Sequence, residues 1–164
     1  MTHNKRISRT AAQSLLVLEG SDNYYHNLTT IKTSNIYKRQ IKEKIRIDLA
    51  NWLKNPHFDT MRHGLLDIAA VATVNDRNML IQDVDNIAKV VLDGLKEEKG
   101  DSRFLFHDDN QVTRLLIYKL RSKKVPGYNT DSLTISFRAH DSNKQMILIN
   151  PSQIQILQVN PSQI

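Results

Sequence analysis

Asp83-Val84-Asp85-Asn86-Ile87-Ala88-Lys89-Val90-Val91-Leu92-Asp93-Gly94-Leu95 is the stretch on which the fold turns. With ~100° of rotation per residue, Val84, Ile87, Ala88, Val91, Leu92 and Leu95 fall within one arc of about 140°, an apolar stripe that has to be buried against another layer. Asp85, Lys89 and Asp93 stack at spacing four on the opposite side. A helix is therefore expected over residues 84–98. Asp83 and Asp85 stand at its start, where a side-chain oxygen can cap free N–H groups and a negative charge suits the helix dipole.

Elements that this stripe could cover lie on either side of it. Residues 65–74 (LLDIAAVATV) are dense in aliphatic and β-branched side chains and read as a mostly buried strand, followed by a polar turn. Residues 112–120 and 132–139 read as further strands, separated by a loop over 122–130 that holds Pro126 and Gly127. Residues 14–18 form a short first strand, with turn material over 20–23. Over residues 36–54, Tyr37, Ile41, Ile45, Leu49, Trp52 and Leu53 recur every three or four positions, which marks a second helix. Lys38, Lys42 and Arg46 make a separate ladder on that helix, either a solvated flank or a contact for the phosphate backbone of DNA. The order β-α-β-α-β-β gives one compact α/β (α+β) domain over residues 1–145, a mixed sheet packed by two main helices. Residues 146–164 form a C-terminal extension in which Asn150-Pro151-Ser152-Gln153-Ile154 recurs as Asn160-Pro161-Ser162-Gln163-Ile164. A tandem of this length is too short for a solenoid and is assigned no catalytic role.

Composition removes several classes of function. The 164 residues include no cysteine, so a disulfide framework, a thiolate zinc site and a cysteine nucleophile are all excluded. No apolar run approaches the ~20 residues that span a bilayer, and the polar, basic N-terminus leads into no secretory core. A cytoplasmic protein is the expectation. Net charge is +6, yet residues 83–109 hold eight acidic and four basic side chains, an island of −4 in a chain otherwise at +10. Basic surface suits a polyanion, and concentrated carboxylates suit the cations that a phosphodiester-cutting site needs. A solvated acidic helix and loop is the bland alternative.

Asp83 and Asp85 lie two residues apart, so an extended segment aims both carboxylates to one side. A second pair, Asp108 and Asp109, stands just before the strand that begins at Val112, where adjacent carboxylates repel unless a cation or donor compensates them. A tight polar turn would explain that pair equally well. An EF-hand starting at Asp83 fails, because Ala88 takes the place of the required glycine and Gly94 that of the bidentate glutamate. The six histidines show no zinc-binding spacing, and the five glycines form no phosphate loop.

The blocks Asp83-Val84-Asp85-Asn86-Ile87-Ala88-Lys89, Asp93-Gly94-Leu95 and Asp108-Asp109-Asn110-Gln111-Val112 resemble, in order, the signature of the RusA family of Holliday-junction resolvases. The resemblance implies a RusA-like crossover junction endodeoxyribonuclease, a hydrolase of DNA recombination and repair that acts as a homodimer on branched DNA. Paired symmetric nicks with 5′-phosphate products would follow, with Mg²⁺ as cofactor and Mn²⁺ able to replace it. It assigns catalytic and metal-binding positions to Asp83, Asp85 and Asp109, an essential lysine to Lys89, and a further candidate ligand to Asp108. Lys38, Lys42 and Arg46 remain the candidates for DNA contact. Two features depart from the family: the stretch over 96–106 is longer, and the C-terminal repeat is foreign to it. A junction-binding accessory protein without turnover, or a nuclease for other branched nucleic acids, is the alternative.

Overall fold

The computed structural model describes residues 16–18, 22–27, 35–74, 82–121 and 131–148. Its elements are β1 (Leu16–Leu18), β2 (Asp22–Asn27), α1 (Asn35–Trp52), α2 (His57–Arg62), β3 (Leu66–Val74), α3 (Val84–Leu95), a 3-10 turn (Asp109–Gln111), β4 (Val112–Arg121), β5 (Ser132–Ala139) and β6 (Met146–Leu148). Four strands form a mixed sheet in the order β2-β5-β3-β4, and β1 pairs with β6 as a separate antiparallel ribbon. Only β3 and β4 run parallel, with α3 in the connection between them. The expected α/β (α+β) class, a mixed sheet packed by two main helices, is what the chain adopts.

All nine residues of β3 are buried, as its largely aliphatic run requires of a strand covered on both faces. Leu66, Ile68, Ala70, Ala72 and Val74 face one way and join Ile41, Ile45 and Leu49 of α1 with Ile87, Val90, Val91 and Leu95 of α3 in a single core. The two helices touch closely at Gly94: a Cβ there would lie 2.8 Å from Ile45 Cδ1 and 3.2 Å from Ile45 Cβ. Trp52, Phe58 and Phe137 close the α2 end with edge-on rings 5.8–6.1 Å apart.

The other face of β3 carries Asp67, fully buried. Arg138 donates to it at 2.9 Å, Arg114 through two nitrogens, and its second oxygen lies 2.7 Å from His140 Nδ1. Arg114 and Arg138 also donate to the carbonyls of Asp141, Lys144 and Gln145, so one carboxylate organises the turn that leads into β6.

The structure corrects several expected boundaries. Asp22 and Asn23 belong to β2, where pairing with Phe137 and Ser136 overrides their turn-forming tendency. α2 and β6 add elements that local periodicity did not reveal, and Met146–Leu148, assigned to the extension, pairs with β1. α3 ends at Leu95, three residues early, because Lys96 turns to extended backbone and the Leu95 carbonyl accepts the N–H groups of Leu105 and Phe106 at 2.7 and 3.4 Å. The expected loops over 75–81 and 122–130 and the repeat over 150–164 lie outside the described residues. Among the described residues no helix is long and apolar enough to cross a membrane.

Candidate active site

Asp83 is the N-cap of α3, in extended backbone, and its carboxylate makes no capping hydrogen bond. Asp85 follows in the first turn, and both side chains are exposed. Lys89 Nζ lies 3.4 Å from Asp85 Oδ2, each side chain about two-thirds exposed. The segment feeding this end is anchored from the sheet: Lys119 Nζ of β4 donates to the Gln82 carbonyl at 2.5 Å. Gln82 itself is buried, and among the described residues its Oε1 has no hydrogen-bond partner. Two exposed carboxylates, one of them paired with the Lys89 ammonium, thus stand at the positive end of a helix dipole, an arrangement open to a hard cation and a phosphate.

Asp108 and Asp109 play different parts. Asp108 Oδ1 accepts the Asn110 N–H at 2.9 Å and caps the 3-10 turn. Gln111 fixes the same turn from the other side, its Oε1 accepting the N–H of His107 at 2.7 Å and of Asp108 at 3.1 Å. Its amide donates to the carbonyls of Arg62 and Gly64, tying the turn to the end of α2. Asp109 is left to project, with its Oδ2 3.1 Å from Lys96 Nζ. The hydrogen bond from Lys96 to Asp109 holds that ammonium above the ordinary lysine range. Beside it, His107 Nδ1 lies 2.7 Å from Glu97 Oε2 and the His107 ring stacks on His63 at 5.2 Å.

The expected site residues therefore occupy two places. Asp83, Asp85 and Lys89 stand at the start of α3, and Asp108 and Asp109 beyond its end. Eleven residues of helical rise from Asp85 to Lys96 amount to about 16 Å. Among the described residues no three carboxylates or imidazoles converge to hold a metal ion.

The sequence profile of the family described as endodeoxyribonuclease RusA matches residues 1–129, which takes in both halves of this arrangement. The chain belongs to the RusA endodeoxyribonuclease family. No curated protein sequence matches it. Membership makes DNA the polymer on which a RusA-family chain acts and endonucleolytic cleavage its class of reaction.

Arg46 has to be removed from the candidate DNA contacts of this RusA-family chain. Its side chain is 2% exposed, with Nη1 2.6 Å from Asp101 and 3.0 Å from Glu98, and Nη2 donating to the Lys96 carbonyl at 3.0 Å. The ladder of spacing four holds, but its third rung turns inward to clamp the end of α3. Lys42 is drawn to the same acidic group, 2.9 Å from Glu98, while Lys38 remains partly exposed. Much of the acidic island thus serves structure: hydrogen bonds from Arg103 and Arg46 hold the Asp101 carboxyl well below the usual carboxylate range. Lys96 and Gln111 were missed as site residues. The signal for Lys96 was present, since it continues the Asp85-Lys89-Asp93 ladder three residues on.

Proposed function

We propose that this RusA-family chain is a divalent-cation-dependent endonuclease that resolves four-way DNA junctions by paired symmetric nicks, in recombination and repair. The observation that carries the reading is the exposed pair Asp83 and Asp85 at the start of α3, with Lys89 one turn along the same face. Magnesium is commonly bound by one or two carboxylates together with waters and substrate phosphates. The donor set fits such an ion, with manganese as a substitute, and Asp83 and Asp85 would hold it. When bound, the cation lowers the pKa of a water and polarises the phosphate.

The remaining chemistry belongs to the chain. Lys89 places an ammonium where negative charge grows on the phosphate, and the α3 N-terminus adds its dipole. Lys38 and the net charge of +6 favour the DNA backbone over the rest of the surface. A homodimer supplies two such sites related by a two-fold axis, matching the symmetry of a junction.

The test is a panel of end-labelled DNAs, a four-way junction, a flap and a duplex, incubated with Mg²⁺ and mapped on every strand. Symmetric nicks with 5′-phosphates on the junction alone support the reading. Cuts confined to the flap redirect it to another branched substrate, and tight junction binding without cuts in Mg²⁺ or Mn²⁺ replaces it with an accessory DNA-binding role.

A further inference from the structure

We propose that Lys119 is a positioning residue for the site at the start of α3: its ammonium fixes the peptide that carries Asp83 and so aims the Asp83 carboxylate. The proposal rests on the reading of Asp83 as a ligand of a divalent cation.

The topology brings Lys119 to this place. β3 and β4 are the parallel pair, and the chain that leaves the C-terminal end of β3 enters α3 at Asp83. In open α/β sheets the crevice outside the carboxyl ends of parallel strands is where ligands bind. Lys119 stands near that end of β4, opposite Ala72 and two residues after Ile117, which packs on the core beneath the helices. With a side-chain period of two, Lys119 points to the same side of the sheet. There its Nζ donates to the Gln82 carbonyl at 2.5 Å.

Asp83 depends on that contact more than its neighbours do. Asp85 and Lys89 lie inside α3, whose hydrogen-bond ladder holds their backbone. Asp83 is the N-cap, in extended backbone, and its carboxylate makes no capping hydrogen bond. The peptide that follows it is held, because its carbonyl accepts the Ile87 N–H at 3.2 Å. The peptide that precedes it contains the Gln82 carbonyl, and a peptide unit is planar from one Cα to the next. A donor on that oxygen therefore sets the plane in which the Asp83 Cα lies. Gln82 is 5% exposed, and a buried carbonyl stripped of its donor has to turn toward another. Turning the plane re-aims the Asp83 side chain relative to Asp85.

Charge and position act in opposite directions here, which makes the role measurable. An ammonium repels a divalent cation, so by charge alone its removal tightens metal binding. Loss of positioning weakens it.

The experiment compares wild type with Lys119→Met and Lys119→Arg, with Mn²⁺ as the probe ion, read by electron paramagnetic resonance without DNA. Lys119→Met should weaken Mn²⁺ binding roughly 10-fold, within the range for groups that support a metal ligand, and Lys119→Arg should restore most of it. In an Asp83→Asn background Lys119→Met should cost nothing further, since the two then act through one group. The backbone order parameter at the Asp83 N–H should fall from about 0.85 toward 0.6 in Lys119→Met, with that of Val90 in α3 unchanged. Junction affinity in EDTA should stay at the wild-type value, while the Mg²⁺ concentration for half-maximal cleavage rises by the same factor as the Mn²⁺ dissociation constant. Unchanged or tighter Mn²⁺ binding by Lys119→Met, losses that add in the double variant, or an unaltered order parameter at Asp83 would each overturn the proposal. A wild type that binds Mn²⁺ but cuts no DNA refutes the nuclease reading alone, and one that binds no Mn²⁺ overturns both.

Discussion

Replacing Arg46 with alanine is expected to loosen the end of α3, with loss of stability rather than a direct loss of DNA contact. The guanidinium is almost fully buried and bonds two carboxylates and the Lys96 carbonyl at 2.6–3.0 Å. Removing one partner of a buried ion pair costs about 3–5 kcal/mol, because the group left behind keeps its desolvation penalty. Arg103 still holds Asp101, which places the cost toward the lower end of that range. For a chain of this size each kcal/mol corresponds to about 2–4 °C in Tm, so a fall of roughly 6–15 °C follows. Urea denaturation should show the same loss with an unchanged m value. Lysine should recover little of it, since it lacks the planar fork that reaches Asp101 and the carbonyl together. The reasoning is refuted if Arg46→Ala melts within about 2 °C of wild type while its DNA affinity drops and becomes less dependent on salt.

Asp67 should govern acid stability. Burial opposes its ionisation, but hydrogen bonds from Arg114, His140 and Arg138 outweigh that and hold its carboxyl well below the usual carboxylate range. A folded pKa below the unfolded one means that its contribution is fully present above about pH 4 and is lost as pH falls toward the folded value; Asp67→Asn should cost about 3–5 kcal/mol at neutral pH and flatten the acid limb of a stability-against-pH curve. Gly94→Ala should destabilise by roughly 1–2 kcal/mol, overpacking against Ile45 exceeding the gain in helix propensity, and calorimetry checks the sign. Gln111→Ala removes four hydrogen bonds that fix the Asp108-Asp109 turn; faster hydrogen exchange at His107 and Asp108 should accompany slower DNA cleavage.

The parts of the fold that the sequence made legible are those with strong, uninterrupted patterns. β3, β5 and the body of α3 lie within a residue or a few of their expected bounds, because seven aliphatic residues in a fully buried strand of nine, or a continuous apolar stripe, leave little choice. β2 was hidden because Asp22-Asn23-Tyr24-Tyr25-His26-Asn27 has no apolar alternation, and its extended form comes from its pairing with β5. Arg46 could not be distinguished from Lys42 by spacing, since what draws it inward is Asp101, 55 residues away. Asp67 gave one local sign, a lone charge in an aliphatic run, whose meaning depended on Arg114 and Arg138 in other strands. Both halves of the candidate site rest on residues that the sequence singled out. Their separation was not, because twelve residues of helix keep apart what the motif sets close in sequence.

The most direct measurement is the rate of Mg²⁺-dependent cleavage of a labelled four-way junction by wild type and by Asp85→Asn, with melting curves and junction affinities recorded alongside. The substitution is expected to lower the rate more than about 100-fold, beyond the loss typical of an outer-shell partner of a metal, with stability and affinity retained, and EDTA to abolish cleavage by wild type. Cleavage by Asp85→Asn at the wild-type rate, or by wild type in EDTA, would contradict that expectation.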